Sequence, residues 1–188
     1  MIWLRGPIAV WKIKEASVKS IGKWIVLAAV LAGLPCAAGA QTLVNERSIS
    51  ANAALELATA ALESCRKHGS VVTITVLDRA DRVVVQVRDD GASPHSVEHS
   101  VRKAHTALTY NMPSGQYGKN AASNPGSAGP LHLANITTAA GGIPIHAGTT
   151  LVGAVGISGT PGAKGGGTAD EGCAQAGIER IAKGLTAN

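Results

Sequence analysis

Two runs of β-branched residues, separated by one short turn, are the feature that most constrains how this chain can fold. Residues 71–77 contain only Val, Thr, Ile and Leu, and residues 82–88 form a second, valine-rich run. Such runs favour strands, and the polar residues 78–81 between them are few enough for a hairpin turn. Residues 143–146 and 149–158 repeat this arrangement further along the chain. The sequence therefore predicts two antiparallel hairpins.

Three other segments have apolar residues at helical spacing. The first, over residues 50–68, starts at a capping serine; the second, over residues 94–110, starts at a proline; the third follows residues 168–171, which match a capping box. We expect one apolar stripe on each helix to face the core. The predicted stripes are Leu55, Ala58, Leu62 and Cys65; Val97, Val101, Ala104 and Leu108; and Ala174, Ile178, Ile181 and Leu185.

The order of these elements predicts the fold class. Hairpins with helices between them indicate an α+β domain with a central antiparallel sheet flanked by helices, in the order α-β-β-α-β-β-α. Residues 111–130 are rich in Gly, Ser, Asn and Pro and are predicted to form a long functional or mobile loop. Gly153 and Gly156, inside the last predicted strand, indicate that another backbone approaches closely there.

The first forty residues have the pattern of a secretory signal peptide. A positive region over 12–23 precedes eleven apolar residues, 24–34, and the small residues 38–40. Eleven residues are too few to span a bilayer, which needs about 20; an uncleaved signal anchor is the alternative. We therefore expect a single domain over 41–188 that is periplasmic or secreted, with no stable membrane anchor after cleavage.

Charge and aromatic content exclude one class of partner. The chain has a formal net charge of +5, but after residue 40 only twelve Lys or Arg face eleven Asp or Glu. All three tryptophans precede residue 41, the chain has no phenylalanine, and Tyr110 and Tyr117 are its tyrosines. A basic nucleic-acid surface and a platform of stacking aromatic rings are both missing from this composition, so no nucleic-acid partner is expected.

Export changes the interpretation of the two cysteines that follow residue 40. In an oxidising compartment Cys65 and Cys173 could form a disulfide, and two buried free thiols are an equal alternative. A metal or haem ligand is less favoured because neither cysteine has a Cys-x-x-Cys or Cys-His neighbour.

Histidines are the remaining candidates for chemistry. His95 and His99 are four residues apart and could chelate a metal, but no glutamate follows His95, so the zinc-protease motif is absent and we interpret this face as solvated. His105 lies at the border of the apolar stripe, where it could meet a pocket or be a hydrogen-bonded residue at the edge of the core. Composition and spacing alone lead no further than an exported α+β domain.

Six short motifs occur in an order that carries a resemblance. They are Val76-Leu77-Asp78, Arg88-Asp89-Asp90-Gly91-Ala92, Lys103-Ala104-His105-Thr106-Ala107, Gly141-Gly142-Ile143-Pro144-Ile145, Val152-Gly153-Ala154-Val155-Gly156-Ile157-Ser158-Gly159 and Asp170-Glu171. The ordered set, covering nearly all of 50–185, resembles the GlcG/HbpS-like haem-binding proteins and is similar to the C-terminal domain of PduO-type cobalamin adenosyltransferases. The resemblance implies a homo-oligomer of compact domains, and exported members that bind or degrade haem.

The resemblance also directs the choice of site residues. Haem needs a slot, an iron ligand and cations for its propionates. His105 stands inside a matching motif where the family commonly has an aromatic residue, and His132 ends the predicted loop, so these two are the candidate iron ligands. The candidate cofactor-binding residues are His105, His132, Thr137, Thr138, Lys103 and Arg102. With so few aromatic residues, we expect a shallow or intersubunit site.

The function that follows as an expectation is exported binding of haem or a related tetrapyrrole, for scavenging, storage or sensing, with haem degradation as a further family property. A small-molecule catabolic enzyme is the alternative, with acid–base chemistry from Asp78, His105 or Asp170. A structural oligomer with incidental haem binding is the third hypothesis.

Overall fold

Four strands and four α-helices make up the part of the chain that the computed structural model describes, residues 44–124, 126 and 129–186. The helices are α1 (Ala51–Lys67), α2 (His95–Tyr110), α3 (Ser114–Ser123) and α4 (Gly166–Thr186); the strands are β1 (Thr73–Asp78), β2 (Val83–Arg88), β3 (Gly142–Ala147) and β4 (Thr150–Ser158). None of these described helices is long and apolar enough to cross a membrane. The predicted signal peptide, residues 1–40, lies outside the described residues.

The strands form one antiparallel sheet in the order β2-β1-β4-β3. This confirms both predicted hairpins and the α+β class. The hairpins join through β1 and β4, whose register runs from Thr73 opposite Ser158 to Asp78 opposite Gly153. These two strands are therefore the buried centre of the sheet, and β2, whose residues are exposed or half-buried, is an edge.

Helices cover both faces of the sheet because successive strand residues point to opposite sides. Ile74 and Val76 join the larger apolar cluster with α1 and α4. Leu77, on the other face, packs with Ala104 and Leu108 of α2. The face under α2 also carries two pairs of buried hydroxyl groups, each 2.7 Å apart: Thr73 with Ser96 and Thr75 with Ser100.

The predicted close approach at the β4 glycines is confirmed. A Cβ added at Gly156 would lie 2.1 Å from the carbonyl oxygen of Ser100 in α2, and one at Gly153 would lie 2.4 Å from that of Leu77 in β1. Helix α2 therefore packs directly on the backbone of β4, which brings the side chains of α2 to the end of that strand.

The predicted loop over 111–130 is partly wrong, because residues Ser114–Ser123 form α3. This helix buries one large side chain, Tyr117, together with Ser114 and Ala121. The Tyr117 ring stacks on Tyr110 of α2, with ring centroids 4.1 Å apart. A tertiary aromatic contact thus holds a helix whose own sequence is mostly small and polar.

Two other predictions need correction. Helix α4 begins at Gly166, so the predicted capping box at 168–171 lies inside the helix, and Asp170 is buried rather than capping. On α1, Leu55 was expected in the core and is 54% exposed, because the buried face runs instead through Ala54, Leu57 and Ala61.

The two cysteines are bonded to each other. Cys65 of α1 and Cys173 of α4 form a disulfide with a Cα–Cα distance of 5.5 Å. The bond decides between the two alternatives that the sequence left open. It ties together two helices on the same face of the sheet.

Candidate functional site

A cavity of about 610 Å³ lies beside the N-terminal half of α2. The end of β4, the loop that follows it and the first turn of α4 close its other sides. We call it the α2 cavity. Its lining includes His95, His99 and Lys103 from α2, Ser158, Gly159 and Thr160 at the end of β4, Gly167, Thr168 and Asp170 from α4, and Ala139 and Ala140.

A buried ion pair forms one wall of the α2 cavity. The Lys103 Nζ lies 2.8 Å from the Asp170 Oδ2 and donates a second hydrogen bond to the carbonyl of Ile157. The other carboxylate oxygen of Asp170 accepts the Thr160 N–H at 3.2 Å. Lys103 is 3% exposed and Asp170 is 1% exposed. Each charge is thus neutralised by the other, and Lys103 could bind an outside anion only in competition with Asp170.

His99 is half-buried in the same wall. Its Nδ1 lies 3.2 Å from the Ser158 Oγ, and its Nε2 lies 3.4 Å from the Thr137 Oγ1. Burial lowers the pKa of His99 below its ordinary value, and the positive charge of Lys103 lowers it further. The imidazole is therefore neutral near pH 7, the form in which histidine binds metals.

His95 lies one turn before His99 and is exposed. With Glu98, His99 and Arg102 it lines a smaller adjoining cavity of about 250 Å³. Arg102 pairs with Glu98 at 2.5 Å. The interpretation of this helix face as solvated is thus confirmed for His95 and wrong for His99.

The two histidines that the sequence put forward as iron ligands lie elsewhere. His105 holds Asp81 of the β1–β2 turn, with 2.6 Å between Nδ1 and Oδ2, and is not among the residues that line the α2 cavity. His132 is exposed in a short 3-10 helix, Gly129–His132. The structure does not bring these two side chains to the cavity, and their predicted role as ligands stays a prediction.

The two candidate threonines have different neighbours. The Thr137 hydroxyl faces His99, and the Thr137 N–H donates to the Thr106 hydroxyl at 3.0 Å. Thr138 lines a separate cavity of about 520 Å³ beside α3. There Glu171 accepts the backbone N–H of both Gly115 and Gly141, each at 3.3 Å, so its carboxylate joins α3 to the start of β3.

The residues proposed for acid–base chemistry do not converge. The Asp78 carboxylate accepts the Arg82 N–H at 2.8 Å inside the β1–β2 turn, while Asp170 is held by Lys103 in the α2 cavity. Within the described part of the chain, no group of three or more His, Cys, Asp or Glu side chains is placed to hold a metal ion.

Comparison with known proteins identifies the family of this chain. A family model described as "Haem degrading protein HbpS-like" matches residues 49–179. The chain belongs to the HbpS-like family. The crystal structure of HbpS is 33% identical, covers 73% of this chain and 93% of its own, and has a TM-score of 0.67.

Two further solved structures are similar to this HbpS-like chain. A double mutant of HbpS from Streptomyces reticuli is 33% identical, with 78% of this chain and 95% of that chain covered and a TM-score of 0.67. The complex of PduOC with haem is 25% identical, with 71% and 95% covered and a TM-score of 0.63. No curated protein matches this chain at a significant level.

Sequence reasoning named Lys103 in this HbpS-like chain as a site residue and set His99 aside as part of a solvated face. The available signal was spacing: His99 lies four residues before Lys103, so both side chains project from the same face of α2. Lys103 belongs to a family motif, and His99 is its neighbour on the same face of α2, whereas His105 is bonded to Asp81 in the β1–β2 turn.

Proposed function

We propose that this protein binds haem or a related tetrapyrrole in the α2 cavity, with His99 as the iron ligand. One observation carries the proposal: a half-buried, neutral imidazole forms part of the wall of a 610 Å³ cavity in a chain of the HbpS-like family. The family description and the haem complex of PduOC support haem as the bound molecule.

The size and lining of the α2 cavity are compatible with haem bound in an open pocket. Its volume lies in the range of small-molecule pockets, about 300–1,000 Å³. The small residues Ala139, Ala140 and Gly159 leave room beside His99 for a flat ring. Within its described lining no aromatic side chain is present to stack on a porphyrin, so the ring would be covered on one side only.

Each polar group has a distinct part in this proposal. The Ser158 Oγ lies 3.2 Å from the Nδ1 of His99 and holds the plane of the imidazole. The Nε2 is left for the iron, which would displace the longer 3.4 Å contact with the Thr137 Oγ1. Arg102, which lines the adjoining smaller cavity, is the better cation for a propionate, because its ion pair with Glu98 is exposed whereas the pair of Lys103 with Asp170 is buried. When bound, haem would supply an iron atom, and His99 would hold it. The groups present bind and orient, and we propose binding rather than degradation.

We further propose that the protein works after export, in the periplasm or outside the cell. The signal-peptide pattern of residues 1–40 supports this, as does the Cys65–Cys173 disulfide, because such bonds persist in oxidising compartments. Scavenging, storage or sensing of haem would all suit that location. A homo-oligomer remains a prediction from the family resemblance, which light scattering of the purified protein tests.

A hemin titration tests the proposed site. The protein without residues 1–40 is titrated while the Soret band is followed, with an unrelated apolar protein as the background. We expect saturation at one hemin per chain, and a roughly tenfold or greater loss of affinity in His99→Ala. The variants His105→Ala and His132→Ala test the two ligands that the sequence predicts; under this proposal both keep wild-type binding. Unchanged affinity and spectrum in His99→Ala, or saturation no better than the background, would overturn the proposal.

A further inference from the structure

Two histidines, one helical turn apart, border the same open space. His95 and His99 both line the α2 cavity and the smaller cavity next to it. Side chains four residues apart on a helix are neighbours, with about 5–6 Å between their Cβ atoms. Histidines at this spacing on one helix face can share one metal ion.

The surroundings of His99 prepare one of its nitrogens for a ligand. With Nδ1 protonated, the ring donates to the Ser158 Oγ 3.2 Å away, and Nε2 keeps its lone pair. The Thr137 hydroxyl is 3.4 Å from Nε2, a long contact that an incoming atom could displace. A metal-binding histidine usually has its second nitrogen held in this way by a polar neighbour.

We infer that His95 and His99 chelate a divalent transition metal of the kind that prefers imidazole, such as Zn²⁺ or Cu²⁺. Two histidines at i and i+4 on one helix face can bind a metal through adjacent coordination positions. The positive charges nearby are each paired, Arg102 with Glu98 and Lys103 with Asp170, so they oppose a cation less than free charges would.

This site differs from a structural zinc site. Structural zinc has four protein ligands, whereas the described residues here offer a pair of histidines without a grouped third ligand. The remaining coordination positions go to water or to an incoming molecule. We therefore expect a metal that exchanges, not one that is needed for folding.

The inference rests on the proposed function in one respect only. If His99 is also the haem ligand, one imidazole serves two metals, and a bound divalent ion excludes haem from the α2 cavity. Haem loading would then depend on the free concentration of that ion.

Calorimetric titration with zinc chloride and with copper sulfate tests the inference, using protein produced without a polyhistidine tag and free of haem. We expect one ion per chain, and a roughly tenfold or greater loss of affinity in both His95→Ala and His99→Ala. His146→Ala is the control: His146 is bonded to Asn111, away from the α2 cavity, and its variant keeps wild-type binding. Circular dichroism confirms that each variant is folded. No saturable binding, or equal binding in all three variants, would overturn the inference.

A second arm separates this inference from the proposed function. Hemin is titrated into the protein with and without saturating zinc. Reduced hemin affinity in the presence of zinc supports the shared imidazole. Zinc binding without any hemin binding contradicts the proposed function and leaves the metal site standing. Hemin binding without zinc binding does the reverse, and independent binding of both contradicts the shared ligand.

Discussion

At the scale of single residues, the buried pair of Lys103 and Asp170 is the feature that the sequence could least reveal. Lys103 was identified through its motif, but its partner lies 67 residues away and was interpreted as a helix cap. No local pattern links two residues at that distance. The pairing depends on α4 starting at Gly166, which turns Asp170 inward instead of leaving it at the helix end.

Breaking this pair should destabilise the fold strongly. Asp170→Asn leaves the Lys103 ammonium buried without a counter-charge, for which we expect a loss of about 3–5 kcal/mol in the free energy of unfolding. Glu98→Gln is the matched control: it breaks the exposed pair with Arg102, which should cost less than about 1 kcal/mol. Urea unfolding measures both. Equal losses in the two variants would contradict the importance of burial.

His99 should make stability depend on pH. Its pKa is lowered in the folded protein, so between its ordinary value of 6.5 and the folded value the unfolded chain binds more protons, and acidification favours unfolding. The stability present above pH 6.5 is thus lost as the pH falls toward the folded pKa. The hydrogen bond from Arg66 lowers the pKa of Asp89 below its ordinary value of 3.8. The stability that Asp89 contributes is therefore lost only when the pH falls below that ordinary value, outside the range in which His99 titrates.

The measurement is urea unfolding at about pH 5 and about pH 7.5, on either side of the ordinary histidine pKa. We expect a smaller difference between the two pH values in His99→Gln than in the wild type. His68→Gln, at an exposed position, is the control and should keep the wild-type difference. The account is wrong on this point if both variants respond alike.

At the scale of elements, regular periodicity made most of the fold predictable. Both hairpins, α1 and α2 follow from strand and helix spacing. Their observed ends differ from the predicted ends by one or two residues. Helix α3 was missed because its buried residues include two small ones, Ser114 and Ala121, and its one large side chain is held by a tertiary stack on Tyr110. The burial of His99 could not be predicted for a related reason: its ring contacts Thr137 and Ser158, which are 38 and 59 residues away in the sequence.

The contact between α2 and β4 provides a test at this scale. Gly156→Ala would place a Cβ 2.1 Å from a backbone oxygen of α2, so we expect a loss of about 1–3 kcal/mol or more from overpacking. Gly172→Ala lies inside α4, where an added Cβ meets nothing within 4 Å, and should stabilise by up to about 1 kcal/mol. Thermal unfolding compares the two. A neutral Gly156→Ala would contradict the close packing that positions the α2 cavity.

At the scale of the whole molecule, the disulfide between α1 and α4 should contribute to the stability of the fold. Cys65 and Cys173 are 108 residues apart, so their bond restricts a large part of the unfolded chain. Reduction of the wild type should therefore lower the free energy of unfolding by about 2–5 kcal/mol. The double variant Cys65→Ala and Cys173→Ala is the control, since dithiothreitol should leave its stability unchanged. An unchanged free energy of unfolding of the wild type in dithiothreitol would mean that the disulfide is not formed.

If His99 supplies the iron ligand of a haem-binding protein, free imidazole should rescue a variant that lacks this side chain. The absorption spectrum of the hemin complex is recorded for His99→Gly, with and without added imidazole, beside His105→Gly as control. The account predicts that His99→Gly loses the wild-type Soret band, that imidazole restores it, and that His105→Gly needs no rescue. A wild-type band in His99→Gly without imidazole would contradict the claim.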